Sequence, residues 1–90
     1  MLKKKYKITN DNGVHARPAT SLVNVCMAFN CDISLSANKK TVDFKSIMGV
    51  MSLGIYSGSI IEVICNGYDE ESALNSIHEK IIELNLGKEV

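Results

Sequence analysis

Apolar and polar positions alternate from the start of the chain. Leu2, Tyr6 and Ile8 fall on one face of an extended segment and Lys3, Lys5 and Lys7 on the other, the pattern of a half-buried antiparallel strand. Asn10-Asp11-Asn12-Gly13 predicts a loop. From about Ala16 to Met27 the period lengthens: Ala19, Leu22, Val23 and Cys26 recur at i, i+3, i+4 and i+7, the stripe of a helix laid on a sheet. Ile33 and Leu35, then Val42 and Phe44, alternate again around Asn38-Lys39-Lys40, which predicts a β-hairpin although its turn has no glycine. Ser46 as N-cap and Gly54 as the residue past the end frame a short helix over Ile47–Leu53. Ile61, Val63 and Cys65 make a fourth strand that Asn66-Gly67 stops. Asp69-Glu70-Glu71 suit the positive end of a helix whose stripe is Ala73, Leu74, Ile77, Ile81 and Leu84, ending near Gly87.

The order β-α-β-β-α-β-α predicts an α+β fold, a four-stranded antiparallel sheet with three helices on one face and a mostly polar, wet face on the other. Ninety residues, 46% of them hydrophobic and 22% charged, suit one globular domain spanning residues 1–90. No repeat, linker or low-complexity tract interrupts it.

Charge narrows the function. The net charge is zero, against a strongly basic nucleic-acid binder, and no aromatic ribonucleoprotein motif marks the strands. The distribution is uneven: residues 1–45 carry eight Lys or Arg and three acids, residues 46–90 two Lys and seven acids. The run of Lys3, Lys4, Lys5 and Lys7 reads as a solvated face or, more sharply, as a contact for an acidic protein. No apolar segment follows Met1–Lys5, so a cytoplasmic protein is expected. The longest uncharged stretch, the sixteen residues Ser46 to Ile61, is broken by three glycines and predicts no membrane insertion. Cys26, Cys31 and Cys65 are odd in number and lack Cys-x-x-Cys spacing, which favours neither disulfide nor zinc. Cys26 and Cys65 are expected as small buried groups and Cys31 as partly exposed.

The most informative stretch is Gly13-Val14-His15-Ala16-Arg17-Pro18-Ala19, because the helical stripe places His15 at the N-cap. The first amides of a helix have no internal acceptor and, with the dipole, attract anions. Pro18 fits the first turn but supplies no donor, leaving the Ala16 and Arg17 amides as phosphate ligands. Arg17 adds a planar cation matched to phosphoryl oxygens, and the helix end and Arg17 both oppose positive charge on the imidazole, keeping a ring nitrogen free to attack phosphorus. A lone histidine here would be an ordinary cap or surface residue; the constellation points to transient phosphorylation of His15. His78, inside the last helix, has no such neighbours and reads as a surface or boundary residue. No cofactor or metal is called for.

Gly13-Val14-His15-Ala16-Arg17-Pro18-Ala19-Thr20, together with Lys45-Ser46-Ile47-Met48-Gly49-Val50-Met51-Ser52-Leu53-Gly54, closely resembles the histidine-containing phosphocarrier family, HPr, of the bacterial sugar phosphotransferase system. The resemblance runs over nearly the whole chain. It implies an open-faced β-sandwich in which Enzyme I, charged by phosphoenolpyruvate, donates a phosphoryl group to Nδ1 of His15. Enzyme IIA domains then receive it. It implies that Arg17 stabilises the phosphoryl group, and that Ser46 is a regulatory site for an HPr kinase/phosphorylase, linking the protein to a catabolite-control transcriptional regulator. Two departures are Lys39, where relatives often carry glycine, and the three cysteines. An N-cap serine also has a sufficient structural reason to stand at Ser46.

On the short helix, Val50 and Leu53 are three apart and can face the sheet, which turns Ile47, Met48 and Met51 outward. With Thr20 they are expected to form an apolar partner surface, where methionine adapts to differently shaped proteins. The protein is expected to act as a monomer. A competing reading is a purely regulatory binding module with Ser46 as its switch.

Overall fold

A computed structural model of the chain describes residues 1–90. The elements run β1 (Leu2–Ile8), α1 (Ala16–Met27), β2 (Asp32–Ala37), β3 (Lys40–Asp43), α2 (Ile47–Met51), β4 (Ile60–Asn66), α3 (Glu70–Glu83) and β5 (Gly87–Glu89). The strands form one antiparallel sheet in the order β3-β2-β4-β1-β5. Tyr6, Leu35, Ile61 and Val63 point from the sheet into one core with Leu22 and Cys26 of α1 and Ile77 and Ile81 of α3. No helix is long and apolar enough to cross a membrane.

The sheet has five strands where four were expected, and the last helix stops at Glu83 instead of near Gly87. A left-handed Asn85, φ 55°, produces both differences. The Leu86 amide donates to Ile81 O at 3.1 Å and the Asn85 amide to Ile82 O at 3.0 Å, the paired bonds of a Schellman ending with asparagine in the place usually held by glycine. The chain then reverses. Leu86 is buried, and Gly87 packs on the Lys7 carbonyl so closely that a β-carbon would collide with it. Three residues are too few to carry a legible alternation, and this glycine serves the ladder to β1, not a helix end.

Three smaller expectations also shift. The short helix ends at Met51, two residues early, with Ser52 as its C-cap. Phe44 lies just past β3, buried, its amide donating to Ile33 O at 2.9 Å. Cys31 is buried, because Gly67 lies against its β-carbon with no side chain between.

The glycine-free hairpin exists. Asn38 and Lys39 both take positive φ, 52° and 67°, and Ala37 pairs with Lys40 in a two-residue turn. Asn38 Nδ2 also donates to the Leu53 and Gly54 carbonyls at 2.8 and 3.1 Å, tying the turn to the end of α2. His78 is half-buried, and its Nδ1 lies 2.7 Å from the Tyr6 hydroxyl. Burial, and next the Glu89 carboxylate, push the Tyr6 phenol up to about 12. At the other end of α3, Asp69 accepts the Asn30 and Cys31 amides at 2.8 and 2.9 Å. The Asn30 contact, first among these, holds the carboxyl below its ordinary value.

Candidate functional site

The loop before α1 is held from below. Gly13 sits at φ 62° and its amide donates to Asn10 O at 2.9 Å; the next amide, of Val14, donates to Ile55 O at 3.2 Å. The Val14 side chain enters the core, so the chain emerges at His15 already committed to a direction. His15 is the N-cap of α1, with extended backbone, φ −89° and ψ −174°. Its carbonyl accepts the Ala19 amide at 3.0 Å, which closes the first turn, while its side chain makes no capping bond and is exposed. The imidazole is therefore not used to hold the helix.

The amides of Ala16 and Arg17 come before Ala19, the first whose amide has an acceptor within the helix, and Pro18 has no amide hydrogen to satisfy. Pro18 and Ala19 are buried and fix the first turn on the core, whereas Ala16, Arg17 and Thr20 are exposed. Thr20 spends its hydroxyl on Ala16 O at 2.8 Å. The ion pairs of the molecule join Met1 to Glu70, Lys4 to Glu89 and Lys80 to Glu83, and the His78 ring lies 4.0 Å from Glu89, so the Arg17 guanidinium is not neutralised by any carboxylate. No acid stands in the first turn of α1.

His15, Arg17 and Pro18 line one cavity of about 200 Å³ together with Asn10, Leu84 and Leu86. Two larger hollows, of about 450 and 330 Å³, contain neither histidine nor arginine. A dianion seated beside His15 would meet the free amides, the helix dipole and Arg17, and no opposing charge from the cavity wall. No cluster of three or more His, Cys, Asp or Glu side chains is arranged to hold a metal.

Asn10, Leu84 and Leu86 were not legible as site residues. Leu84 belongs to the stripe of α3 and reads as core, and nothing local in the sequence joins the turn after α3 to the loop before α1. The joint is made by the sheet: β5 lies beside β1, and the Thr9 and Asn10 amides donate to Leu86 O at 2.9 and 3.1 Å.

Ser46 does not line this cavity. It is the N-cap of α2, its Oγ accepting the Gly49 amide at 3.0 Å, and it is half-buried. Beside it, Lys45 Nζ donates to Phe29 O at 2.8 Å. Val50 and Leu53 are buried, as their spacing predicts, and Ile47, Met48 and Met51 are 40%, 84% and 42% exposed. α2 packs on α1, and the segment leaving α2 supplies the Ile55 carbonyl that holds the loop of His15. The outward apolar row and the histidine loop are thus joined through the Val14–Ile55 hydrogen bond.

The model of the family described as PTS HPr component phosphorylation site matches residues 2–83, so Met1 and residues 84–90, which include β5, fall outside. Among solved structures, a histidine-containing phosphocarrier protein from Mycoplasma is 35% identical, with TM-score 0.93 over 96% of this chain and 98% of that one. The phosphocarrier protein HPr of Bacillus anthracis is 39% identical, with TM-score 0.80 over 88% of this chain and 94% of that one. Crh, the Bacillus subtilis catabolite repression protein, seen as a domain-swapped dimer, is 35% identical, with TM-score 0.72 over 92% and 95% of the two chains. On the family match over residues 2–83 and these structural likenesses, the chain belongs to the HPr phosphocarrier family of the sugar phosphotransferase system.

Proposed function

We propose that this protein carries a phosphoryl group on His15, taking it from phosphorylated Enzyme I and passing it to Enzyme IIA domains. The observation that carries this reading is the exposed imidazole that makes no capping bond, sharing a cavity with Arg17 at a helix end whose first amides are free. A lone pair of a neutral ring nitrogen attacks phosphorus, the bond from phosphorus to the donor breaks, and the donor keeps that electron pair. The ring then carries the phosphoryl group as a phosphoramidate. Reversal against an acceptor returns the imidazole to its starting state, so the protein is a covalent participant in a relay and not an enzyme with a substrate of its own.

Family membership supports Nδ1 as the reacting atom. The Ala16 and Arg17 amides and the guanidinium favour the phosphoryl oxygens, while exposure to water keeps their grip moderate, as a group that must be given away requires. Thr20, Ile47, Met48 and Met51 form the partner surface beside the histidine. Ser46 is the second, regulatory site, phosphorylated by an HPr kinase/phosphorylase and read by a catabolite-control regulator. The protein works in the cytoplasm as a monomer.

The test is phosphoenolpyruvate-dependent labelling by Enzyme I, mapped under conditions that preserve phosphohistidine. One acid-labile, base-stable phosphate on His15 is expected, with none on His15→Ala. Full labelling of His15→Ala would overturn the assignment, and no labelling of the unaltered protein would favour a purely regulatory module.

A further inference from the structure

The open face of the sheet carries a set of charges that the carrier function does not use. Lys3, Lys5 and Lys7 alternate along β1 on the face away from the helices, and the register places Lys88 of β5 directly beside Lys7. All four are exposed, and none takes part in an ion pair. Ile64 lies beside Lys3 and Ile60, 48% exposed, beside Lys7, with Glu62 between them beside Lys5, so the cations border two apolar side chains and one carboxylate on β4. Side chains two residues apart on a strand are separated by about 7 Å, so the three β1 lysines form a line about 13 Å long.

We propose that this edge of the open face is a docking surface for a carboxylate-rich, extended segment of a partner protein. Acids at alternate positions of such a segment repeat at the same 7 Å as the lysines and all face them, and the methylenes of those acids can rest on Ile60 and Ile64. The other anionic occupants fit less well. A flat anionic bilayer on this face would also meet Asp32 of β2 and Asp43 of β3, which share it, whereas a narrow segment along β1 meets one carboxylate, Glu62, the cross-strand partner of Lys5. A nucleic acid would find no arginine and no aromatic ring among these outward strand residues. A second copy of this chain offers α3 as its acidic element, but Glu70 and Glu83 are already paired, which leaves Glu71 and Glu79 for four lysines. The surface lies on the opposite side of the sheet from the helices, so a partner held there leaves α1 and α2 uncovered.

The experiment is a titration of the isotopically labelled full chain, followed by backbone amide shifts at low ionic strength, with a short synthetic peptide carrying Glu at every second position. Saturable shifts confined to β1, β5 and the outer residues of β4 are expected. Reversing both Lys5→Glu and Lys7→Glu should weaken binding about tenfold or more, and salt should do the same as the screening length shortens. Phosphoryl acceptance at His15 should be unaffected in the same variant. Circular dichroism of Lys5→Glu/Lys7→Glu, and the milder Lys5→Gln/Lys7→Gln, separate lost binding from lost fold. The proposal is overturned if the shifts map to Arg17, Lys39 or Lys40, or if the peptide does not bind. Lysine-dependent binding to phosphatidylglycerol vesicles without peptide binding overturns it too, as does salt-sensitive self-association of the chain mapped to these lysines.

Discussion

Gly13 lies so near Ile55 that a β-carbon added to it would press on the Ile55 carbonyl oxygen and sit 2.9 Å from the Tyr56 α-carbon. The same carbonyl accepts the Val14 amide, so contact and hydrogen bond together fix where His15 begins. Gly13→Ala combines that collision with a residue forced to φ 62°. It should destabilise the protein by about 2 kcal/mol or more. It should also slow phosphoryl acceptance in the fraction that remains folded. Urea unfolding and a labelling rate measured well below the midpoint check the two effects separately; an unchanged midpoint would contradict the contact.

Arg17→Ala should lower the rate of phosphoryl transfer by about a hundredfold, the usual scale for removing one preorganised donor from a developing charge. The guanidinium is exposed and unpaired, so stability should change by less than about 0.5 kcal/mol. Arg17→Lys keeps the charge but not the fork, and should recover only part of the rate. Single-turnover transfer from phosphorylated Enzyme I, alongside a melting curve, gives both numbers.

Met48 is 84% exposed at the crest of α2. Met48→Asp should weaken Enzyme I binding by about 1 to 2 kcal/mol while leaving the melting temperature nearly unchanged. Val50→Asp, two residues on and at a buried position on the opposite side of the helix, should instead unfold the chain. Calorimetric titration of each variant against Enzyme I tells a surface from a core.

Ser46 has two roles that substitutions can part. Ser46→Ala removes the bond from the Gly49 amide and should cost about 1 kcal/mol of stability with little effect on transfer. Phosphorylated Ser46 gains about −1.5 to −2 charges at a helix N-terminus that tolerates them, so the fold should survive. That charge borders Ile47, Met48 and Met51, and transfer from Enzyme I should slow because the docking surface has changed. Ser46→Asp should do the same more weakly. Equal rates for modified and unmodified protein, or inactivity through unfolding, would defeat the switch.

Asp69 and Glu70 are held below their ordinary values of 3.8 and 4.5, Asp69 chiefly by the Asn30 amide and Glu70 chiefly by the Gly67 amide. A carboxylate with a depressed folded-state pKa releases its proton more readily when folded. Its stabilisation is therefore complete above the ordinary value and disappears as pH falls through the folded one. Denaturant midpoints should hold from neutrality to about pH 4.5 and fall below it. Asp69→Asn should lower the neutral midpoint and flatten the acid slope; a slope identical to the unaltered chain would remove Asp69 from the account.

The helices and inner strands were legible because their signals are periodic and local. Ala19, Leu22, Val23 and Cys26 needed only their spacing to define the buried side of α1, and His15, Ala16 and Arg17 needed only their place at its start. The turn Asn38-Lys39 carried a weak signal because one of its two left-handed residues is a lysine, and tertiary bonds from Asn38 to Leu53 and Gly54 complete it. β5 and the cavity wall of Leu84 and Leu86 were illegible for a different reason. They depend on a chain reversal at an asparagine and on a strand pairing across almost the full length of the sequence, and neither leaves a repeating pattern in three residues.

The place of β1 in the sheet has a consequence for how the protein is made. β1 lies between β4 and β5, so Leu2 finds Cys65 and Ile8 finds Gly87 only after most of the chain has been synthesised. On the ribosome β1 emerges before both of its partner strands, β4 and β5, while α1 and the β2–β3 hairpin can organise from contacts near in sequence. Closing the β1 ladder carries the loop-closure entropy of the intervening segment and belongs late in assembly. Until then its lysines keep a bare strand soluble, a use for Lys3, Lys5 and Lys7 that precedes any partner the finished sheet meets.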